Sequence, residues 1–431
     1  MSKYSLPLLL LLLFTNTNLH ANEIAFAGAE GFGAYAKGGK GGVVYDVTTL
    51  EDTENPGSLR WAINQKEPRI IRFKVAGTIQ LKKALTIKHP FITIDGQDAF
   101  ANDKQGITIR DYPINIKTND VIIRYLRIRL GDYAVLKRVH ENRWDRHRTS
   151  RDLDCINIHQ SKNVIIDHVS AFWCTDEIIS VTNSQHITIQ WSILAEPLGG
   201  PKLHPYGNNH AYGANNSAST LSYHHNIFAH FVMRGPQFEA NDMDKQNPFD
   251  TKFEAVNNVI YAYTKTGSRY RPGFEKPKRD KIETANFYYH IIDNLYLNHD
   301  KTKSEIEAHD AFGSEKNIVA HIKGNIGPHR LAETDPQLSL VFTDTHGHDN
   351  LYDPKNVPYL KQTSETPLFS STVPITTQSP HDAYQAILKD VGCSMYRDKH
   401  DLRIIQDVKN VAPSRILKSQ QEVGGWPTYI P

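Results

Sequence analysis

The chain of 431 residues carries 49 Lys and Arg against 47 Asp and Glu, a formal charge of +2, so no molecule-wide field marks a polyanionic partner and any charge argument is local. With 39% hydrophobic residues, 5 Trp, 17 Phe and 20 Tyr, it can fill a core, which excludes a disordered chain. Cys155, Cys174 and Cys393 are too few to staple a fold; Cys155 and Cys174 can pair, but buried free thiols are the simpler expectation.

Residues 1–21 read as an export signal: Lys3 supplies a short basic region, an apolar run extends from Leu8 to Phe14, and Ala21 precedes Asn22. The run is far short of the ~20 apolar residues of a membrane span, and no later stretch comes closer. The expectation is a single domain over 22–431, periplasmic or secreted, with no membrane partner.

Short β-branched runs then recur: Ile92 to Ile94, Val121 to Ile123, Val164 to Ile166, Ile187 to Ile189, Thr220 to Ser222, Ala255 to Val256, Tyr289 to Ile292 and Val319 to Ile322. Each predicts a strand. Several lead through a polar turn into a second run, as at Val169-Ser170 and Ser192-Ile193, and the equivalent positions Asp167 and Gln190 lie 23 residues apart. Asn226, Asn258, Asn294 and Asn325 continue the repeat at spacings of 32, 36 and 31. Strands at that period with little helix between them predict an all-β solenoid, a parallel β-helix with extended loops. Asn at successive turns is expected to adopt the left-handed conformation and to hydrogen-bond its neighbours above and below. The alternative, a β-sandwich, needs hairpin turns every 8 to 12 residues, and NG or DG turns are scarce. Toward the C-terminus, Asp382 to Asp390 has helical spacing and Asp401 to Val408 predicts a second short helix, so residues from about 379 to 431 form a cap or belt.

Two long insertions are basic: Lys137 to Arg151, and Lys265 to Lys281, which holds Arg269 and Arg271. They are either solvated loops or walls of a groove for an anionic ligand; for an exported protein an acidic polysaccharide is a better candidate than nucleic acid. Asp152 and Asp154 follow the first insertion, and Asp176 and Glu177 come one coil later. Coils stack about 4.8 Å apart, so these acids can converge. Crowded carboxylates repel unless they hold a cation such as Ca²⁺ or share protons as a hydrolase pair does; otherwise they are separate surface acids paired with Arg148 or Arg151. Arg234, before Gly235-Pro236, sits just past a strand. Zinc is not expected, because no HxxxH or CxxC spacing joins His204, His210, His224, His225 and His230, and His224 and His225 fall on opposite faces of a strand.

Taken together, Ala25 to Gly33, Gly57-Ser-Leu-Arg60, Val121 to Arg127, Asn163 to His168, Trp173 to Glu177, Tyr223-His-His-Asn226, Arg397 to Arg403 and Gly424-Gly-Trp-Pro427 have a familiar order and spacing. On these motifs the chain resembles the pectate lyases of polysaccharide lyase family 1, in particular a bacterial subgroup. The resemblance implies a right-handed parallel β-helix, mostly monomeric in the family, that cleaves α-1,4-polygalacturonate by Ca²⁺-assisted β-elimination to unsaturated oligogalacturonides. It implies Asp152, Asp154 and Asp176 as metal ligands, Arg234 as general base set among cations that lower its pKa, and Lys202 as the lysine that precedes the R-x-P element. Two departures stand out. Ser180 replaces an acid, with Glu177 or water as substitute ligand, and Gln237 lies where many relatives have a second arginine, which shifts uronate recognition to Arg269 or Arg271. A β-helical hydrolase using Asp152, Asp154 and Asp176, or a non-catalytic solenoid that binds acidic polysaccharide, are the alternatives.

Overall fold

All the β-branched runs from Ile92 to Ile322 lie in a single parallel sheet, one of three in the computed structural model. The structure describes residues 23–141, 153–200, 202–204, 210–239, 250–271, 287–309, 318–345, 348–351 and 362–426. The proposed export signal and most of both basic insertions therefore lie outside the described residues. Among those described, the sheets have 11, 10 and 8 strands, and each of the eight complete coils supplies one strand to each sheet. One coil, for example, runs through Lys162–Asp167, Ser170–Phe172 and Glu177–Thr182, and the next through Gln185–Gln190, Ile193–Ala195 and Tyr212–Ser217. Pairing is parallel throughout, except where Val341–Thr345 meets His348–Leu351. The architecture is a right-handed parallel β-helix, as expected.

Stacking in register puts like on like. Ile92, Val121, Val164, Ile187, Leu221, Phe253, Tyr289 and Ala320 form one continuous inward row that passes from aliphatic to aromatic. The large side chains of this row are buried, each stabilising the fold by about 1.5–3 kcal/mol relative to exposure. The asparagine ladder forms as expected: the Asn226 amide donates to Asn258 Oδ1 at 3.0 Å, Asn258 to Asn294 at 2.9 Å and Asn294 to Asn325 at 2.9 Å. The left-handed residue, however, is the one before each asparagine: His225, Asn257, Asp293 and Gly324 have φ of 54°, 52°, 51° and 70°. The preceding residue makes the bend, which leaves the asparagine extended with its amide aimed along the stack.

Two of the three sheets are covered on their outer faces. The N-terminal segment lies over the 11-stranded sheet, where the Gly33 N–H donates to Thr188 Oγ1 at 2.8 Å and the Phe32 N–H to Ser222 Oγ at 3.0 Å. A Cβ on Gly33 would stand 2.4 Å from the Val164 carbonyl, so this motif needs glycine for close approach. The C-terminal helices, Pro380–Asp390 and Lys399–Asn410, bury Ala383, Ile387, Ile404 and Val408 against Phe172, Ile193, Ile227 and Val259 of the eight-stranded sheet. They are a belt along the side of the solenoid. The buried Arg129 reaches Asp401 at 2.7 Å and Asp398 at 3.2 Å, with Arg127 3.3 Å from Asp401, so the Arg397 to Arg403 motif fastens this belt. Cys155, Cys174 and Cys393 are free and buried. No helix of the described residues is long and apolar enough to cross a membrane.

Candidate active site

The 10-stranded sheet keeps part of its outer face open, and its strands alternate accordingly. Ile156, Ile158, Ile179 and Val181 point inward, while Asn157, His159, Ser180 and Thr182 face outward onto a cleft of about 410 Å³ that Asn115 and Lys117 also line. At one edge of the cleft, three carboxylates converge. Asp154 precedes the strand Ile156–His159, and Asp176 and Glu177 stand at the start of the neighbouring strand, one coil of 23 residues further on. The Glu177 N–H donates to Asp154 Oδ1 at 3.1 Å. Oxygens of Asp154, Asp176 and Glu177 lie within 4.8 Å of one another, and all three residues are buried.

Electrostatics divides them. Burial pushes the Asp154 carboxyl well above the ordinary aspartate range, the Asp176 charge adding to the effect, while hydrogen bonding from Ser180 works against it. Burial and the Asp176 charge likewise push Glu177 up, opposed by Arg234. Asp176 goes the other way: burial alone would raise it, but hydrogen bonds from His204 and His210 outweigh that and hold it below the usual carboxylate range. Asp176 Oδ1 is 2.6 Å from His210 Nδ1 and Oδ2 is 3.2 Å from His204 Nε2. Buried anions that resist ionisation lack positive charge, and an oxygen-rich donor set of this kind fits a hard cation such as Ca²⁺. Ser180, at the position where the resemblance implies an acid, donates to Asp154, and the third carboxylate within reach is that of Glu177.

Arg234 lies two coils further on, before the strand Gln237–Glu239, with φ of 73°. It pairs with Glu177 through Nη1, and its guanidinium sits 4.3 Å over the ring of Tyr212, the residue opposite Glu177 in register. Burial favours the neutral guanidine, but the charges of Glu177 and Glu239 outweigh it, and the pKa of Arg234 is raised. The expected cationic surroundings are therefore replaced by carboxylates.

The remaining expected residues are scattered. Asp152 lies outside the described residues. Lys202 is exposed on the turn that carries Leu203 and His204. Arg269, in register with Gln237, is buried and ion-paired to Glu307 at 2.6 Å. Arg271 ends the same strand, Thr266–Arg271, opposite Glu239. Tyr212 and Lys117 were invisible in sequence, having no motif around them. The spacing of His204 and His210 gives no metal signature, yet both rings meet at Asp176.

No family model matches the chain. In sequence it is 28% identical over 405 residues to an Aspergillus oryzae protein named "Probable pectate lyase C", covering 93% of this chain and 81% of that one. That relative is fungal and gives the bacterial part of the expectation no support. In structure it superposes on a pectate lyase from Bacillus sp. N165 in complex with trigalacturonate with a TM-score of 0.50 at 15% identity, covering 85% of this chain and 99% of that one. A thermostable pectate lyase superposes with a TM-score of 0.51 at 12% identity, covering 87% and 99%. At these identities the superpositions establish the β-helical fold.

Proposed function

We propose that this chain is a secreted, calcium-dependent pectate lyase that cleaves α-1,4-polygalacturonate by β-elimination. The observation that carries the reading is the buried trio of Asp154, Asp176 and Glu177 beside Arg234, at the edge of a cleft on the sheet face that the described residues leave partly open. Full-length similarity to a named pectate lyase supports it. Asp154, Asp176 and Glu177 would hold calcium, with Asp152 as a further ligand. Calcium, when bound, supplies positive charge beside the substrate's uronate.

The chain's own residues do the rest. Arg234 takes the C5 proton; the electron pair of that C–H bond forms the C4–C5 double bond, and the glycosidic oxygen leaves C4. A guanidinium gives up its proton only in alkaline solution, and Glu177 at present works against that. With Glu177 engaged as a ligand, the largest charge opposing burial at Arg234 is taken up, and Glu239 is the main one left against it. Lys117 on the cleft wall, together with Lys202, Arg269 and Arg271, is proposed to meet substrate carboxylates, Arg269 exchanging Glu307 for uronate.

The split between Asp154 pushed up and Asp176 held down also favours a second reading, an acid–base hydrolase pair. One assay separates the two: polygalacturonate at alkaline pH with calcium and then with chelator, following ultraviolet absorbance and new reducing ends. A calcium-dependent rise in absorbance is expected. Reducing ends without absorbance would establish the hydrolase, and neither signal would leave a binding solenoid. Arg234→Ala is expected to lower the rate at least 10²-fold while polygalacturonate still binds, the magnitude of a lost general base. Unchanged turnover would remove Arg234 from the mechanism.

A further inference from the structure

His204 and His210 have no part in the elimination derived above, yet both direct a ring nitrogen at the same carboxylate. Their rings stack with centroids 3.7 Å apart and planes 7° from parallel. His204 Nε2 lies 3.2 Å from Asp176 Oδ2 and His210 Nδ1 2.6 Å from Asp176 Oδ1, and the three donor atoms fall within 4.8 Å of one another. Around a tetrahedral ion with bonds of about 2.0–2.1 Å to nitrogen and oxygen, neighbouring donors stand about 3.3 Å apart. The two printed contacts, 3.2 and 2.6 Å, lie near that spacing, and no pair of donors exceeds it by more than about 1.5 Å.

The donor chemistry differs from that of the adjoining trio. Ca²⁺ takes six to eight oxygens and gains little from imidazole, whereas zinc, cobalt and nickel favour imidazole with carboxylate. The side chain of His204 is 2% exposed and that of Asp176 9%, while His210 is 20% exposed and Asp176 lines the cleft. Two donors are thus held by packing, and Asp176 borders the cleft, from which a water or a substrate oxygen can complete the coordination.

We propose that Asp176, His204 and His210 form a binding site for an imidazole-preferring divalent transition-metal ion. It shares Asp176 with the trio of Asp154, Asp176 and Glu177, so this ion and calcium compete. The simpler role for the two histidines, hydrogen bonding that orients Asp176, predicts no such affinity. The site needs no substrate and does not rest on the lyase reading, so failure of either leaves the other standing.

The test uses the untagged full chain, freed of metal by chelator and titrated with Co²⁺. Visible d–d absorption saturating at one equivalent is expected, with excess Ca²⁺ weakening the apparent affinity. His210→Ala and His204→Ala, each checked by circular dichroism, are expected to weaken Co²⁺ binding at least tenfold. For the wild-type chain loaded with one equivalent of Zn²⁺, X-ray absorption is expected to show scattering from two imidazoles, a readout that does not depend on a variant folding. Absence of the visible band, a band unchanged in both variants, or zinc bound without imidazole would overturn the proposal.

Discussion

Arg234 is pulled two ways: burial favours its neutral form, and Glu177, paired to Nη1, favours the charged one. Glu177→Gln removes the largest of the charges that hold Arg234 protonated and leaves burial opposed mainly by Glu239. In the calcium-free chain, the guanidinium carbon of Arg234 followed by NMR is therefore expected to titrate at lower pH in this variant than in the parent; an unmoved titration would mean that Glu177 is not what holds Arg234 charged. At this scale the sequence was legible where residue type and chain position suffice. Asp154 and Asp176 sit one register position apart on successive coils, and Arg234 just before a strand two coils further on. It was illegible where the neighbour is distant. Nothing in the text around Arg234 announces that Glu177 and Tyr212, rather than lysines, surround it.

Among elements, the asparagine ladder and the C-terminal belt hold different sides of the solenoid. Asn258 sits mid-ladder: it accepts from the Asn226 backbone and side-chain amides, and donates to Asn294 Oδ1 and to the Tyr223 carbonyl. Asn258→Ala strips partners from buried groups on both neighbouring coils. A loss of about 1–3 kcal/mol is expected by denaturant titration, the cost of an unsatisfied buried group. Asp401→Ala leaves Arg127 and Arg129 buried with Asp398 as their remaining carboxylate in the belt. Breaking a buried ion pair costs about 3–5 kcal/mol, so this variant is expected to melt well below the parent, and equal stability would show that the belt is held by its apolar face alone.

At the scale of the whole molecule, the covering segments carry a pH dependence of their own. Glu254, on the outer face of the 11-stranded sheet, is enclosed beneath the N-terminal segment: it accepts from Ser222 Oγ at 2.5 Å, which in turn receives the Phe32 N–H. Burial pushes its carboxyl up from 4.5 to about 7, against hydrogen bonds from Ser222 and Ser371. Between these two values the folded chain keeps a proton that the unfolded chain has released, so stability is greatest below the lower value and falls as pH rises to the upper one. Denaturant titrations at pH 5 and pH 8 are expected to show lower stability at pH 8 from this group, and Glu254→Gln is expected to flatten the difference. An undiminished slope in that variant would assign it to other groups.

The sequence alone was enough for the solenoid, because every coil repeats the same local problem: apolar residues stacked on their counterparts 23 to 43 positions away. It disclosed the 11-stranded sheet most clearly, since covering both faces of a sheet requires near-continuous hydrophobic runs. The 10-stranded sheet was hidden: Tyr212–Ser217 reads as a loop, with Gly213, Asn215 and Asn216 all poor strand formers, and becomes a strand only because neighbouring coils pair with it. That same polarity makes this the face left open, and hence the place where Asp154, Asp176, Glu177 and Arg234 meet. Only tertiary structure decided which cations and imidazoles those acids face, because such contacts depend on where loops of unequal length return to the stack, and no local pattern encodes that path.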